Sequence, residues 1–175
     1  MKYLSYLFLA ALSLISCADN EDELFELVYE VDIIYEAGLS QFEAHFIDTY
    51  DIQTRISGLL AASGVTRDEV TRVLPKSAEL INTRSDVSLD FIQNITLRVF
   101  EGSLFIPDEK QNELEIFFRD PVPQDRATLI NLIPSLPDVK EHLLEDTFNF
   151  TTRSELRAPP PNTIEARLRL RFSVQ

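Results

Sequence analysis

Apolar and polar residues alternate with a period of two in two stretches of the chain. Between positions 24 and 36, Phe25, Leu27, Tyr29, Val31, Ile33 and Tyr35 share one parity, while Glu26, Glu30, Asp32 and Glu36 take most of the other. Near the C-terminus, Ile164, Ala166, Leu168, Leu170, Phe172 and Val174 alternate with Glu165, Arg167, Arg169, Arg171 and Ser173. Such alternation predicts strands with one buried and one wet face. Weaker patterns fill the interval. Residues 41–52 fit helix or strand. A strand there could turn at 37–40 into a hairpin with the first and bury Phe42, Ala44, Phe46, Tyr50 and Ile52 together. Residues 77–82, 95–99, 114–118, 127–133 and 148–156 read as further strands.

Helical signals are short. Residues 54–63 predict a helix stopping before Gly64, and Thr66 with Glu69 has capping-box spacing. Residues 88–93 predict one helical turn, and 137–145 a helix with Pro137 in its first turn. Residues 107–112 read as a polar turn, and the tract 119–123 as a break. Seven or eight strands with short helical links predict an all-β fold, a single antiparallel β-sandwich over 24–175. A closed barrel is the alternative.

The first sixteen residues are built differently. Lys2 is followed by an almost wholly apolar run, Tyr3 to Ile15, too short for the roughly 20 residues of a membrane-spanning helix. It reads as a secretory signal. It ends in Leu14-Ile15-Ser16-Cys17, and Cys17 is the single cysteine of the chain. This arrangement resembles the lipobox of bacterial lipoproteins. The resemblance implies a signal peptide over 1–16, cleavage between Ser16 and Cys17, and lipidation of Cys17 by acyl chains such as palmitate. Two or more chains anchor stably where one does not. A lone thiol is a liability in an oxidising compartment, and lipidation removes it. Residues 17–23 form an acidic tether. Its run Asp19-Asn20-Glu21-Asp22-Glu23 resembles surface-export signals of Bacteroidota lipoproteins, and Ala18 is not the Asp of an inner-membrane retention signal. The resemblance implies the outer membrane, at its periplasmic face or the cell surface. The tract 115–161, with Glu115-Ile116-Phe117-Phe118-Arg119-Asp120-Pro121-Val122-Pro123, Leu143-Leu144-Glu145-Asp146 and Ala158-Pro159-Pro160-Pro161, resembles segments of uncharacterised Bacteroidota lipoproteins.

Charge sharpens the picture. The net charge is −13, and loss of Lys2 with the signal makes it one unit more negative. That argues against nucleic acid as a partner. Residues 19–54 hold eleven acidic groups and no basic one. The last strand instead carries Arg167, Arg169 and Arg171 on its wet face. The first and last strands are therefore expected to be neighbours with charges paired across them. The competing reading makes the three arginines an interaction stripe for an acidic polymer or lipopolysaccharide.

No motif selects a catalytic residue. His45 and His142 lack zinc-site spacing, no G-x-S-x-G is present, and the acidic alternation at 19–23 lacks the glycine and terminal glutamate of a calcium loop. Asn94-Ile95-Thr96 and Asn149-Phe150-Thr151 match a glycosylation pattern that a bacterial chain would not use. The expectation is a non-enzymatic binding or structural module without cofactor or metal, anchored through Cys17 and docking onto an envelope protein. The alternatives are an envelope hydrolase or carbohydrate-active enzyme, and a fimbrial subunit donating a detached last strand.

Overall fold

A computed structural model describes residues 23–84, 87–103, 106–125 and 128–175. The predicted signal peptide and the tether through Asp22 lie outside these residues, as do Ser16 and Cys17. The described residues form eight antiparallel strands: β1 (Phe25–Tyr35), β2 (Ala44–Gln53), β3 (Val73–Asn82), β4 (Ile92–Ser103), β5 (Ile106–Arg119), β6 (Leu129–Pro134), β7 (Thr147–Leu156) and β8 (Ile164–Val174). Between them lie helix α1 (Ile56–Ser63), a 3₁₀ turn (Arg67–Glu69) and the short α2 (Lys140–Leu143).

The pairing follows one rule. β1 pairs with β8, β2 with β7, β3 with β6 and β4 with β5. The chain thus folds back on itself about the β4–β5 turn as one long ribbon. The ribbon then rolls, so that β8 also takes β3 and β7 also takes β4. The result is two four-stranded layers, β1-β8-β3-β6 and β5-β4-β7-β2, joined where Phe117 and Phe118 of β5 meet Pro134 and Ile133 of β6. This order is that of a jelly roll. The expected all-β sandwich is present.

The core lies between the layers. Leu27, Ile33, Leu80, Leu168, Leu170 and Phe172 of one layer face Ile95, Leu97, Val99, Phe117 and Phe150 of the other, all shut off from solvent. Rings interlock across the gap. Tyr29 meets Phe148 at 4.8 Å between centroids, and Phe172 meets Phe117 edge-on at 5.7 Å. The Tyr35 hydroxyl bridges the layers to Ser154 Oγ at 3.0 Å, and burial pushes its pKa up to about 12. α1 closes one end of the core with Ile56 and Leu60 and stops at Gly64, whose φ of 69° suits glycine. The capping box of Thr66 and Glu69 forms as its spacing predicts.

Three expectations need correction. β1 and β2 are consecutive but do not form a hairpin; they lie at opposite ends of the strand order. Phe42 and Phe46 are accordingly not buried but 89 and 60 % exposed. The cause is a bulge between Thr49 and Ile52, with Asp51 at φ 55°, which reverses the parity of β2. Ile47 before it and Ile52 after it both pack against the core, Ala44 and Phe46 turn outward, and Phe42 lies exposed in the turn before β2. The predicted polar turn at 107–112 is instead part of β5, which extends to Ile106 with irregular register against β4. The predicted helix at 137–145 shrinks to a single turn, Lys140–Leu143.

The interlocked rings set the cost of opening the sandwich. Phe172→Ala should destabilise the fold by about 3–5 kcal/mol in chemical denaturation. A loss below about 1 kcal/mol would show that the layers are held by something else.

Candidate functional site

The arginine stripe is committed within the sheet. β8 lies beside β1 in the register Asp32↔Arg167 and Glu30↔Arg169. Arg167 Nε donates to Asp32 at 2.9 Å and Arg169 Nε to Glu30 at 2.9 Å. Arg169 also approaches Glu79 of β3 at 3.5 Å, and Arg171 approaches Glu26 at 3.5 Å. Lys76 of β3 completes the lattice by ion-pairing with Glu23 and Glu26. The hydrogen bond from Lys76 is the largest cause holding the Glu26 carboxyl below its ordinary value. The bond to Asp32 likewise raises Arg167. The expected pairing of first and last strands is what the geometry contains. The guanidiniums that an acidic polymer would need already have carboxylate partners.

The histidines lie apart and serve local structure. His45 Nε2 donates to the Ser40 carbonyl at 2.6 Å, and the buried His142 Nε2 donates to the Asn112 carbonyl at 3.2 Å. Among the described residues, no group of three or more His, Cys, Asp or Glu side chains could hold a metal ion. No described helix is long and apolar enough to cross a membrane. β8, which a strand-donating subunit would hold free, sits between β1 and β3.

One concavity arises from the topology. β1 and β2 are the terminal strands of the two layers, and among the described residues each has one edge without a partner strand. A groove of about 530 Å³ opens between the start of β1 (Glu26 to Glu30) and the end of β2 with α1 (Ile52 to Arg55, and Leu59). Its floor is apolar, with buried Leu27 and Tyr29. Val28 and Leu59 form partly exposed apolar rims. The Tyr29 hydroxyl donates to the Thr54 carbonyl at 3.3 Å and fixes the floor between the two strands; burial raises its pKa. Arg55, in the left-handed region at φ 55°, turns the chain from β2 into α1 at the groove's margin. An unpaired strand edge beside an apolar floor can receive an extended polypeptide, whose backbone pairs with the edge while alternate side chains enter the groove. Sequence reading missed this site. Leu27 and Tyr29 read as ordinary core, and only the separation of β1 from β2 makes them a floor.

No protein-family model and no curated protein sequence matches the chain. Among solved structures, a chain from Desmodium yellow mottle tymovirus is similar at 12 % identity and a TM-score of 0.28, covering 92 % of each chain.

The lattice on the outer face of β1 makes stability depend on pH with a defined sign. Glu26 titrates below its ordinary 4.5 in the fold, so its contribution is present above that pH and is lost as pH falls through the folded value. Denaturation midpoints measured between pH 3 and pH 6 should fall more steeply in the native protein than in Lys76→Ala. Parallel curves would remove Lys76 as the cause.

Proposed function

We propose that this chain is a lipid-anchored, non-enzymatic binding or structural module of the bacterial outer membrane. Acyl chains on Cys17 hold it, and the β1–β2 groove takes an extended segment of an envelope protein. The observation that carries the docking reading is the groove between two unpaired strand edges. The anchor reading rests on Leu14-Ile15-Ser16-Cys17 behind its apolar run. The two readings support each other in space. The described chain begins at Glu23, two residues before β1, where the Leu24 amide donates to the Val174 carbonyl at 2.7 Å. The groove borders that same first half of β1. A short tether from Cys17 would therefore leave the groove at the membrane-proximal end, within reach of a membrane-held partner.

Cys17→Ser should leave the precursor unprocessed or release the protein from the membrane fraction. Unchanged mass and membrane association would refute lipidation. For the groove, a photo-crosslinking residue at Val28 should give a discrete protein adduct in intact cells. The same probe at Leu136, 87 % exposed and outside the groove, should not. Equal labelling from both positions, or none from Val28, would refute docking there.

A further inference from the structure

We propose a second binding site, for a neutral oligosaccharide, on the outer face of the β5-β4-β7-β2 layer. Phe42 and Phe46 would be its stacking rings and Glu155 its central hydrogen-bond acceptor. The site stands on its own geometry, away from the β1–β2 groove, and holds whether or not the chain is lipid-anchored.

The bulge that reverses β2 creates it. Ala44 and Phe46 share the outward parity of β2, Phe42 stands exposed in the turn just before it, and the chain between the two phenylalanines can separate their Cα atoms by at most about 14 Å. Ala44 stands directly opposite Glu155 of β7, and Glu155 opposite Asn94 of β4. The small alanine leaves a depression of about 160 Å³ lined by Gln41, Phe42, Glu43, Gln93 and Glu155. Phe42 thus stands beside a polar floor, and Phe46 stands exposed on the other side of Ala44.

The parts are fixed before any ligand arrives. The Phe42 amide donates to Ser40 Oγ at 3.1 Å, and His45 Nε2 donates to the Ser40 carbonyl, so the turn bearing Phe42 is tied to β2. Asn94 Nδ2 donates to Glu155 Oε2 at 2.7 Å, and Arg153 pairs with Oε1. These bonds, that from Asn94 first, keep the Glu155 carboxyl below its ordinary range and therefore ionised. Each carboxylate oxygen retains acceptor capacity for a hydroxyl. Gln41 and Gln93 supply both donors and acceptors.

The ligand class follows from this mixture. A phenyl face is negative and attracts polarised C–H groups, while the Glu155 array needs hydroxyl donors. A pyranose presents both, with C–H bonds on its face and hydroxyls at its rim. A chain of a few units would span the two rings. The strongly negative protein disfavours an anionic polymer.

The full chain in detergent micelles can be titrated calorimetrically with hexaoses of β-1,4-glucose, β-1,4-xylose, α-1,6-mannose and β-1,4-N-acetylglucosamine. At least one should bind with a Kd in the micromolar to millimolar range. Phe42→Ala and Phe46→Ala should each weaken that binding at least roughly tenfold. Glu155→Gln should weaken it as well, and Leu136→Ala should leave it unchanged. The rings are exposed, so thermal unfolding of both phenylalanine variants should match the native protein. Absence of binding by every hexaose would overturn the proposal. So would binding that survives both ring substitutions, or a chain that captures only protein through this face.

Discussion

The pairing of β8 with both β1 and β3 is the constraint on which the rest of this molecule depends. It joins the last strand to the first and inserts both into one layer. Without it the ribbon could not roll, because β3 and β6 would face no completed sheet. Charge helps bring these strands together but does not alone fix how they sit. A one-residue slip of β8 against β1 is forbidden, since it would turn Arg167, Arg169 and Arg171 into the core. A two-residue slip keeps the apolar face inward and still leaves two arginines opposite carboxylates. The rings exclude that slip. Phe172 is wedged against Tyr29 at 6.1 Å and Phe117 at 5.7 Å, and moving it two residues would leave a void where β5 meets the other layer. The ion pairs are mostly exposed and contribute about 0.2–1 kcal/mol each. Packing therefore decides register, and charge decides which strand is the neighbour.

Polar groups inside the sandwich follow the same division. Tyr35 and Ser154 satisfy each other across the layers. The Thr54 hydroxyl donates to the Glu145 carbonyl at 2.5 Å, tying the end of β2 to the β6–β7 link. Arg157, just past β7, gives its guanidinium to the carbonyls of Asp90, Ile92 and Val122. One side chain thereby joins the start of β4 to the segments that follow β5 and β7. A neutral replacement there would leave three carbonyls to find other donors.

β1 and β8 were legible from sequence because each has one wholly apolar and one largely charged face, so a period of two stands out. The neighbourhood of β1 and β8 was legible for a second reason: a face whose charges are all acidic and a face dominated by arginine occur once each. β2 was misread because its apolar residues occur in both parities. A bulge resolves the conflict by sending Ile47 and Ile52 inward and Phe46 outward, and no residue type announces it; Asp51 is polar and not glycine. The first part of β5 was misread for a different reason. Residues 106–112 pair with β4 near the ribbon's tip, where backbone hydrogen bonds sustain a strand and a strict apolar face is not required. The groove was illegible because its walls come from strands adjacent in sequence but terminal in opposite layers. Local pattern carries no information about that separation; the pairing rule does.

The same topology explains why surface chemistry concentrates where it does. A rolled ribbon leaves two exposed edges, β1 and β2, and an exposed edge invites pairing with other chains. Most of this boundary is blunted. β1 carries Glu26, Glu30 and Asp32 outward, and the bulge at Thr49–Ile52 breaks the regularity of β2. Asp48, tied to Lys110 at 2.6 Å, adds a charged pair beside that bulge. The stretch from Leu27 to Tyr29 opposite Ile52 to Thr54 is different. There the margin is apolar, and Tyr29 reaches across to Thr54 without filling the gap. A sequence selected only against aggregation would be expected to place a charge at Val28 or Leu59, both of which are open to solvent. Retaining apolar side chains at both, in a chain otherwise rich in carboxylates, leaves this groove an apolar margin. That margin is the physical basis for reading the groove as an interface.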